Sequence, residues 1–278
     1  MRQGLGLLGV VTLLAASLHL YERFVRRSPL RFTYLTGPIG DARYDELGSK
    51  PGWSKTSLQV APGVRLNGLL RLPQASDAPW ILFYPGNDDH MLARGQTLLV
   101  KLAEQRDLGL AVFAYRGFDS SGGTPQIEDL GTDANAILEH VAGLPGVARE
   151  RLHVVGFSIG GYLAVRAVAA ANRAKRRVGS LALMASVNDI VMLRRSPWQK
   201  LSLGDALQTQ PFLADVPAPV LVLQGSADQT LTGTAQAHAI VNALGQRARY
   251  LELEGIGHEA LLDCEPALQA AREQIDQR

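Results

Sequence analysis

The sequence predicts an α/β fold in which an eight-stranded, mostly parallel sheet is flanked by helices. Three observations predict it. Short continuous apolar runs, such as WILFY at 80–84 and LHVVGF at 152–157, have the length and residue types of strands buried on both faces. Longer stretches with apolar residues at helical spacing separate them, and buried strands alternating with helices call for right-handed crossovers and a covered parallel sheet. The 278 residues are 46% apolar and 19% charged, enough for a large core and incompatible with general disorder.

The amino terminus stands apart from this pattern. Gly4 to Leu20 is a run of 17 residues without Asp, Glu, Lys or Arg, at the lower limit of the roughly 20 residues a bilayer-spanning helix needs. Tyr21, Arg23, Phe24, Arg26 and Arg27 follow it as interfacial aromatics and snorkelling cations would. A single membrane anchor is the expectation, and the positive-inside rule leans towards a cytoplasmic body. Two alternatives stay open: a cleaved signal peptide with Ala15-Ala16-Ser17 as a small-residue cleavage site, and a buried core helix. The division that follows is an anchor and basic segment at 1–27, a connecting segment at 28–56 and a catalytic domain at 57–278. The first 31 residues also set the charge. Beyond them 23 basic residues face 25 acidic ones, so no dense basic face is available for nucleic acid.

In the body, strands are expected either side of the Pro62-Gly63 turn signal, forming an antiparallel pair. WILFYP (80–85) is a buried strand, LARGQTLLVKLAEQ a helix, and LAVFAY (110–115) the next strand. The segment 127–141 is helical, with Leu130, Ala134, Ile137, Leu138 and Val141 on one face. LHVVGF (152–157) leads through a turn into the helical YLAVRAVAAA. Three more strands are expected at 178–186, 219–225 and 249–255, and a helix from His258 to about Gln277. The stretch 187–218 is long for one crossover and has room for at most a small lid, with Arg194, Arg195 and Trp198 exposed in it.

The chemistry centres on Gly156-Phe157-Ser158-Ile159-Gly160, a G-x-S-x-G sequence between a strand and a helix. Glycines two before and two after the serine suit a turn so sharp that side chains there would strike backbone. Such a turn lifts the Ser158 hydroxyl above the sheet, at the positive end of the helix. A serine hydroxyl needs a base to take its proton and an acid to orient that base. In this architecture the order is serine, acid, histidine, the last two after late strands. Asp228, in GSADQ, and His258, in GIGHEA, occupy those places, with Asp189 as the reserve acid. His19, His90, His140, His153 and His238 fit worse, and Asp263 reads as a helix-face carboxylate. An oxyanion hole takes two N–H donors. The amide of Ile159 is one, and Asn87 in Pro85-Gly86-Asn87-Asp88, where Gly86 allows close approach, is the other.

The order FYPGN, YRGFDSSGGTP, GFSIGG, LVLQGSAD and GIGHEAL resembles the α/β-hydrolase superfamily, and within it the membrane-anchored, lid-poor ABHD and bud-emergence-type serine hydrolases. The resemblance covers about 58–277. It implies the α/β-hydrolase fold, the roles given above for Ser158, Asp228, His258, Asn87 and Ile159, and a structural role for Arg116. Two positions depart from that branch: Pro85 stands where histidine is usual, and Asp119 where glycine is usual. Serine rather than aspartate at 158 argues against dehalogenase or epoxide hydrolase chemistry.

The expected activity is cleavage of carboxylic esters or thioesters, with lipid-like acyl groups suggested by the amino-terminal run. A serine peptidase of the same fold and a membrane-tethered binding protein on this scaffold are the alternatives. No HExxH, paired CxxC or Walker-type loop occurs, so neither a metal nor a nucleotide cofactor is inferred. Cys264 is the only cysteine, which excludes an internal disulfide.

Overall fold

In a computed structural model of the chain, the described residues are 41–87, 90–125, 127–189, 207–217, 219–230 and 232–277. Eight strands form one sheet: β1 (Trp53–Ala61), β2 (Val64–Arg71), β3 (Trp80–Tyr84), β4 (Gly109–Phe113), β5 (Leu152–Phe157), β6 (Ser180–Met184), β7 (Val220–Gly225) and β8 (Ala248–Leu253). Their order is β1-β2-β4-β3-β5-β6-β7-β8. The β1–β2 and β2–β4 pairings are antiparallel, and every pairing from β4 to β8 is parallel. The predicted fold class is therefore the observed one, with one further antiparallel pairing.

The reason for the parallel centre is visible strand by strand. β3, β4, β5, β6 and β7 are buried along their whole lengths, as continuous apolar runs between two helical layers must be. β1 alternates exposed and partly buried positions because it lies at the sheet edge. The turn between β1 and β2 uses Gly63 at φ 73°, in the left-handed region that glycine enters freely.

The helices are α1 (Asp41–Gly48), α2 (Met91–Ala103), α3 (Ile127–Ala142), α4 (Ile159–Arg173), the one-turn α5 (Gln210–Leu213), α6 (Thr234–Leu244) and α7 (Glu265–Asp276). α2 packs with α7 and α3 packs with α4, while α6 lies against β7 and β8. Leu130, Ala134, Ile137, Leu138 and Val141 of α3 are all buried, as their spacing predicts.

Some boundaries differ from the sequence reading. The stretch 28–56 holds α1 and the start of β1, both joined to the core. The Tyr44 hydroxyl shares its proton between Thr56 O (2.7 Å) and Gly68 O (2.9 Å), and Leu47 is fully buried. The segment after His258 is not one helix: a 3-10 turn at Glu259–Asp263 precedes α7, and Cys264 between them is extended. Among the described residues no helix is long and apolar enough to cross a membrane. The apolar run from Gly4 to Leu20, the basic segment after it and the centre of the 187–218 stretch, with Arg194, Arg195 and Trp198, lie outside the described residues.

Candidate active site

The site forms at the carboxyl ends of the parallel strands, beginning with the turn between β5 and α4. Ser158 holds φ 56° and ψ −121°, a conformation an L-residue keeps only when its surroundings enforce it. Those surroundings are specific. Ser158 N donates to Met184 O at the end of β6 (3.0 Å), and Ser158 O accepts from Gly161 N (3.1 Å) and Val187 N (3.2 Å). A Cβ at Gly156 would lie 2.7 Å from Gly160 O, and one at Gly160 would lie 2.0 Å from Tyr84 O and 2.3 Å from Pro85 O. Gly161 faces Ser186 just as closely, with Oγ 2.1 Å from the position of a Cβ. The glycines of the motif are therefore steric requirements.

β7 delivers Asp228 and the chain after β8 delivers His258. His258 Nδ1 lies 2.8 Å from Asp228 Oδ2, and the Asp228 side chain is wholly buried while that of His258 is 12% exposed. The imidazole packs on Phe157, the residue before the serine, with ring centroids 4.7 Å apart. Burial pushes the Asp228 carboxyl up. The hydrogen bonds it receives from His258, from the Thr230 hydroxyl and amide and from the Thr232 hydroxyl outweigh that and hold it well below the usual carboxylate range. Asp228 is thus an anion at any pH near neutrality.

Ser158 and His258 line one small cavity with Phe83, Gly86, Asn87 and Met91, of about 30 Å³. Gly86 sits against the serine: a Cβ there would meet Phe157 Cδ1 at 2.9 Å and Ser158 Cβ at 3.3 Å. That closeness sets the loop after β3 against the turn that opens α4, whose first N–H groups have no intrahelical partner. Asn87 lines the cavity that holds Ser158, and Ile159 follows Ser158 as the first residue of α4. Asp88 lies outside the described residues.

The remaining candidates fall elsewhere. Asp189 engages Gln236 through its own backbone (2.7 and 3.0 Å), and the carboxylate bonded to His258 is that of Asp228. His153 pairs with Ser180 Oγ (2.8 Å) at the far end of β5, and His140 is edge-on to Phe113. His238 lies near Glu252 and Tyr250. Asp263 pairs with Lys101 from the 3-10 turn rather than from a helix face. His19 lies outside the described residues. Among the described residues no cluster of His, Cys, Asp and Glu could hold a metal ion.

Sequence reasoning missed three supports of this site. The Tyr115 hydroxyl, fully buried, donates to Pro85 O (2.8 Å) and holds the loop that carries Asn87. Thr230 and Thr232 both bond Asp228. Their spacing is a signal, since an aspartate that accepts from the amide two residues on makes an Asx turn. Asp119 is the third. It sits at φ 45° and accepts from Leu92 N (2.7 Å) in the first turn of α2. Aspartate enters the left-handed region more readily than most residues and can cap a helix, which explains why it can replace glycine here. Arg116 has the structural role expected of it: its guanidinium forks onto Asp133 (2.6 Å twice) and reaches Asp129 (2.6 Å).

An amino-terminal part of this framework, residues 64–180, matches the family described as Chlamydia CHLPS protein (DUF818). Across a longer stretch, the chain is 30% identical over 232 residues to an uncharacterized protein of Mycobacterium tuberculosis, covering 80% of this chain and 79% of that one. The chain belongs to the same family as that protein. It is also 30% identical over 193 residues to the alpha/beta hydrolase domain-containing protein WAV2 of Arabidopsis thaliana, covering 62% of this chain and 60% of WAV2. Among solved structures, the alpha/beta hydrolase GrgF from Penicillium superposes with a TM-score of 0.63 at 16% identity, covering 80% of this chain and 97% of GrgF. Est1E from Butyrivibrio proteoclasticus with bound ferulic acid does so with 0.63 at 14%, covering 79% and 96%. The fold of this family member is that of the α/β hydrolases.

Proposed function

We propose that the protein is a serine hydrolase that cleaves carboxylic esters or thioesters through an acyl-enzyme on Ser158. The observation that carries this reading is the strained Ser158, held at a sharp strand-to-helix turn in the same cavity as a histidine bonded to a buried aspartate. In this reading His258 takes the Ser158 proton as the oxygen attacks the acyl carbonyl, and the amides of Asn87 and Ile159 receive the oxyanion. His258 then protonates the leaving alcohol or thiol, and water releases the acyl group by the same route. Asp228, anionic and buried, stabilises the imidazolium while it exists.

The surroundings favour a polar leaving group. Arg94, Glu259 and Leu262 border the small cavity and also a groove of about 520 Å³, which Arg43, Lys101 and Asp263 line as well. Charged walls suit an alcohol or thiol portion that stays hydrated. A lipid-like acyl group and a membrane anchor belong to the amino-terminal run and are proposals on that ground alone. Peptidase activity and binding without turnover are the competing outcomes of the test.

The test is fluorophosphonate labelling of the full chain beside Ser158→Ala matched for thermal stability. Labelling of the wild type that vanishes in the variant, together with turnover of 4-nitrophenyl esters, is the expected result. A folded wild type that neither labels nor turns over would leave a binding scaffold, and cleavage of peptides in preference to esters would point to the peptidase.

A further inference from the structure

His258 has two neighbours at Nδ1, not one. Asp228 Oδ2 is 2.8 Å away and Thr232 Oγ1 is 2.9 Å away. The Thr232 hydroxyl in turn donates to Asp228 Oδ2 at 2.8 Å. Histidine, aspartate and threonine thus close a triangle of three contacts of nearly equal length. Thr232 is fully buried, out of reach of bulk water.

Proton accounting gives the triangle a direction. Thr232 has one hydroxyl proton, and the carboxylate, an acceptor only, takes it. What remains for His258 is a lone pair on the threonine oxygen. The Thr230 hydroxyl does not disturb this arrangement, because it is spent on the other carboxylate oxygen, Asp228 Oδ1, at 2.6 Å. The Thr230 amide donates to the same oxygen at 2.9 Å. Nδ1 therefore faces two acceptors and no donor, and the tautomer that satisfies both carries its proton there. Nε2 is then left with its lone pair for a proton coming from the serine.

We propose that Thr232 is a positioning residue for the catalytic histidine: its buried hydroxyl bridges Asp228 and His258 and holds the imidazole in the Nδ1-protonated tautomer and against rotation. The proposal rests on the serine-hydrolase reading above. Two acceptors spaced about a common N–H restrict rotation of the ring about its Cβ–Cγ bond more than one does. Thr232 does not touch the reacting atoms. Its effect belongs in the rate of proton transfer, not in substrate binding.

The experiment compares Thr232→Val, which exchanges the hydroxyl for a methyl, with Thr232→Ser, which keeps it, in the full chain with 4-nitrophenyl acetate and butyrate. Thr232→Ala repeats the deletion with a cavity in place of a methyl, as a guard against a folding defect peculiar to valine. Fluorophosphonate labelling of each variant reports on the serine separately from ester turnover. The expected result is a fall in kcat of about tenfold or more in Thr232→Val with KM within about twofold, and recovery to within about threefold of wild type in Thr232→Ser. The downfield Nδ1–H proton resonance, assigned by its loss in His258→Gln, is expected in wild type and Thr232→Ser and lost to faster exchange in Thr232→Val. Wild-type kcat and an intact resonance in Thr232→Val overturn the proposal, and continued labelling of Ser158 in the same samples leaves the hydrolase reading standing. A loss in Thr232→Val and Thr232→Ala that Thr232→Ser does not restore also overturns it, since the hydroxyl is then not the cause. A wild-type chain without labelling or turnover removes the hydrolase reading and the role of Thr232 with it.

Discussion

Ser158 is held by the carbonyl of Met184 and by the glycines around it, and the residues beyond it are held in the same manner. Tyr115 is one of them. Burial pushes its phenol well up, so it stays a neutral donor to Pro85 O. Tyr115→Phe removes that donor and strands a buried carbonyl, which costs about 1–3 kcal/mol. The loop carrying Asn87 is then free to drift. The expected outcome is a lowered melting temperature and a kcat reduced about tenfold, read by calorimetry and ester turnover. His153 supplies a pH prediction. Burial and then the charge of Arg151 push its pKa down to about 4, below the usual histidine value of about 6.5. Between those two values the unfolded chain binds a proton that the folded chain refuses, so stability falls as pH drops through that window. The full effect is about 3 kcal/mol. Urea melts at pH 7 and pH 5 should show it in the wild type, and His153→Gln should flatten the dependence.

At the scale of elements, the turn from β5 into α4 must pass beneath the end of β3. A Cβ at residue 160 would sit within 2.3 Å of both Tyr84 O and Pro85 O, and neither strand-end carbonyl can yield as a flexible side chain would. Gly160→Val is therefore expected to lose about 3 kcal/mol or more. A urea midpoint within error of wild type would contradict this turn geometry. α3 is fixed to the loop after β4 by Arg116, whose side chain is 9% exposed and whose partner Asp133 is 1% exposed. Removing one member of such a pair leaves a buried charge uncompensated, so Arg116→Met should cost about 3–5 kcal/mol in equilibrium unfolding.

Across the whole molecule, the small cavity at Ser158 shares Arg94, Glu259 and Leu262 with the larger groove between α2 and the turn after His258. Two ion pairs, Arg94 with Glu259 and Lys101 with Asp263, span that groove. All four side chains are more than a third exposed, and exposed pairs contribute about 0–1 kcal/mol. Arg94→Ala should accordingly leave the melting temperature nearly unchanged. Because Arg94 lines both cavity and groove, KM for 4-nitrophenyl esters should rise about threefold with little change in kcat, as steady-state kinetics would show.

Much of this was legible in the chain itself. A run of five or six apolar residues ended by Pro-Gly or Gly-x-Ser has one stable use in a covered sheet, and the α/β fold and the position of Ser158 follow from local sterics. The order of Ser158, Asp228 and His258 along the chain is also a local matter, because each follows its own strand. What the chain order could not show is lateral. The partnership of Asp228 rather than Asp189 with His258 depends on which strand ends lie side by side. The bond from Tyr115 to Pro85 joins neighbouring strands 30 residues apart. The Thr232 contact with His258 spans 26 residues, and the groove exists only because α2 and the turn after His258 meet. Periodicity records which face of an element is buried. It carries no record of which polar groups meet across that burial, and only the tertiary structure decided those contacts.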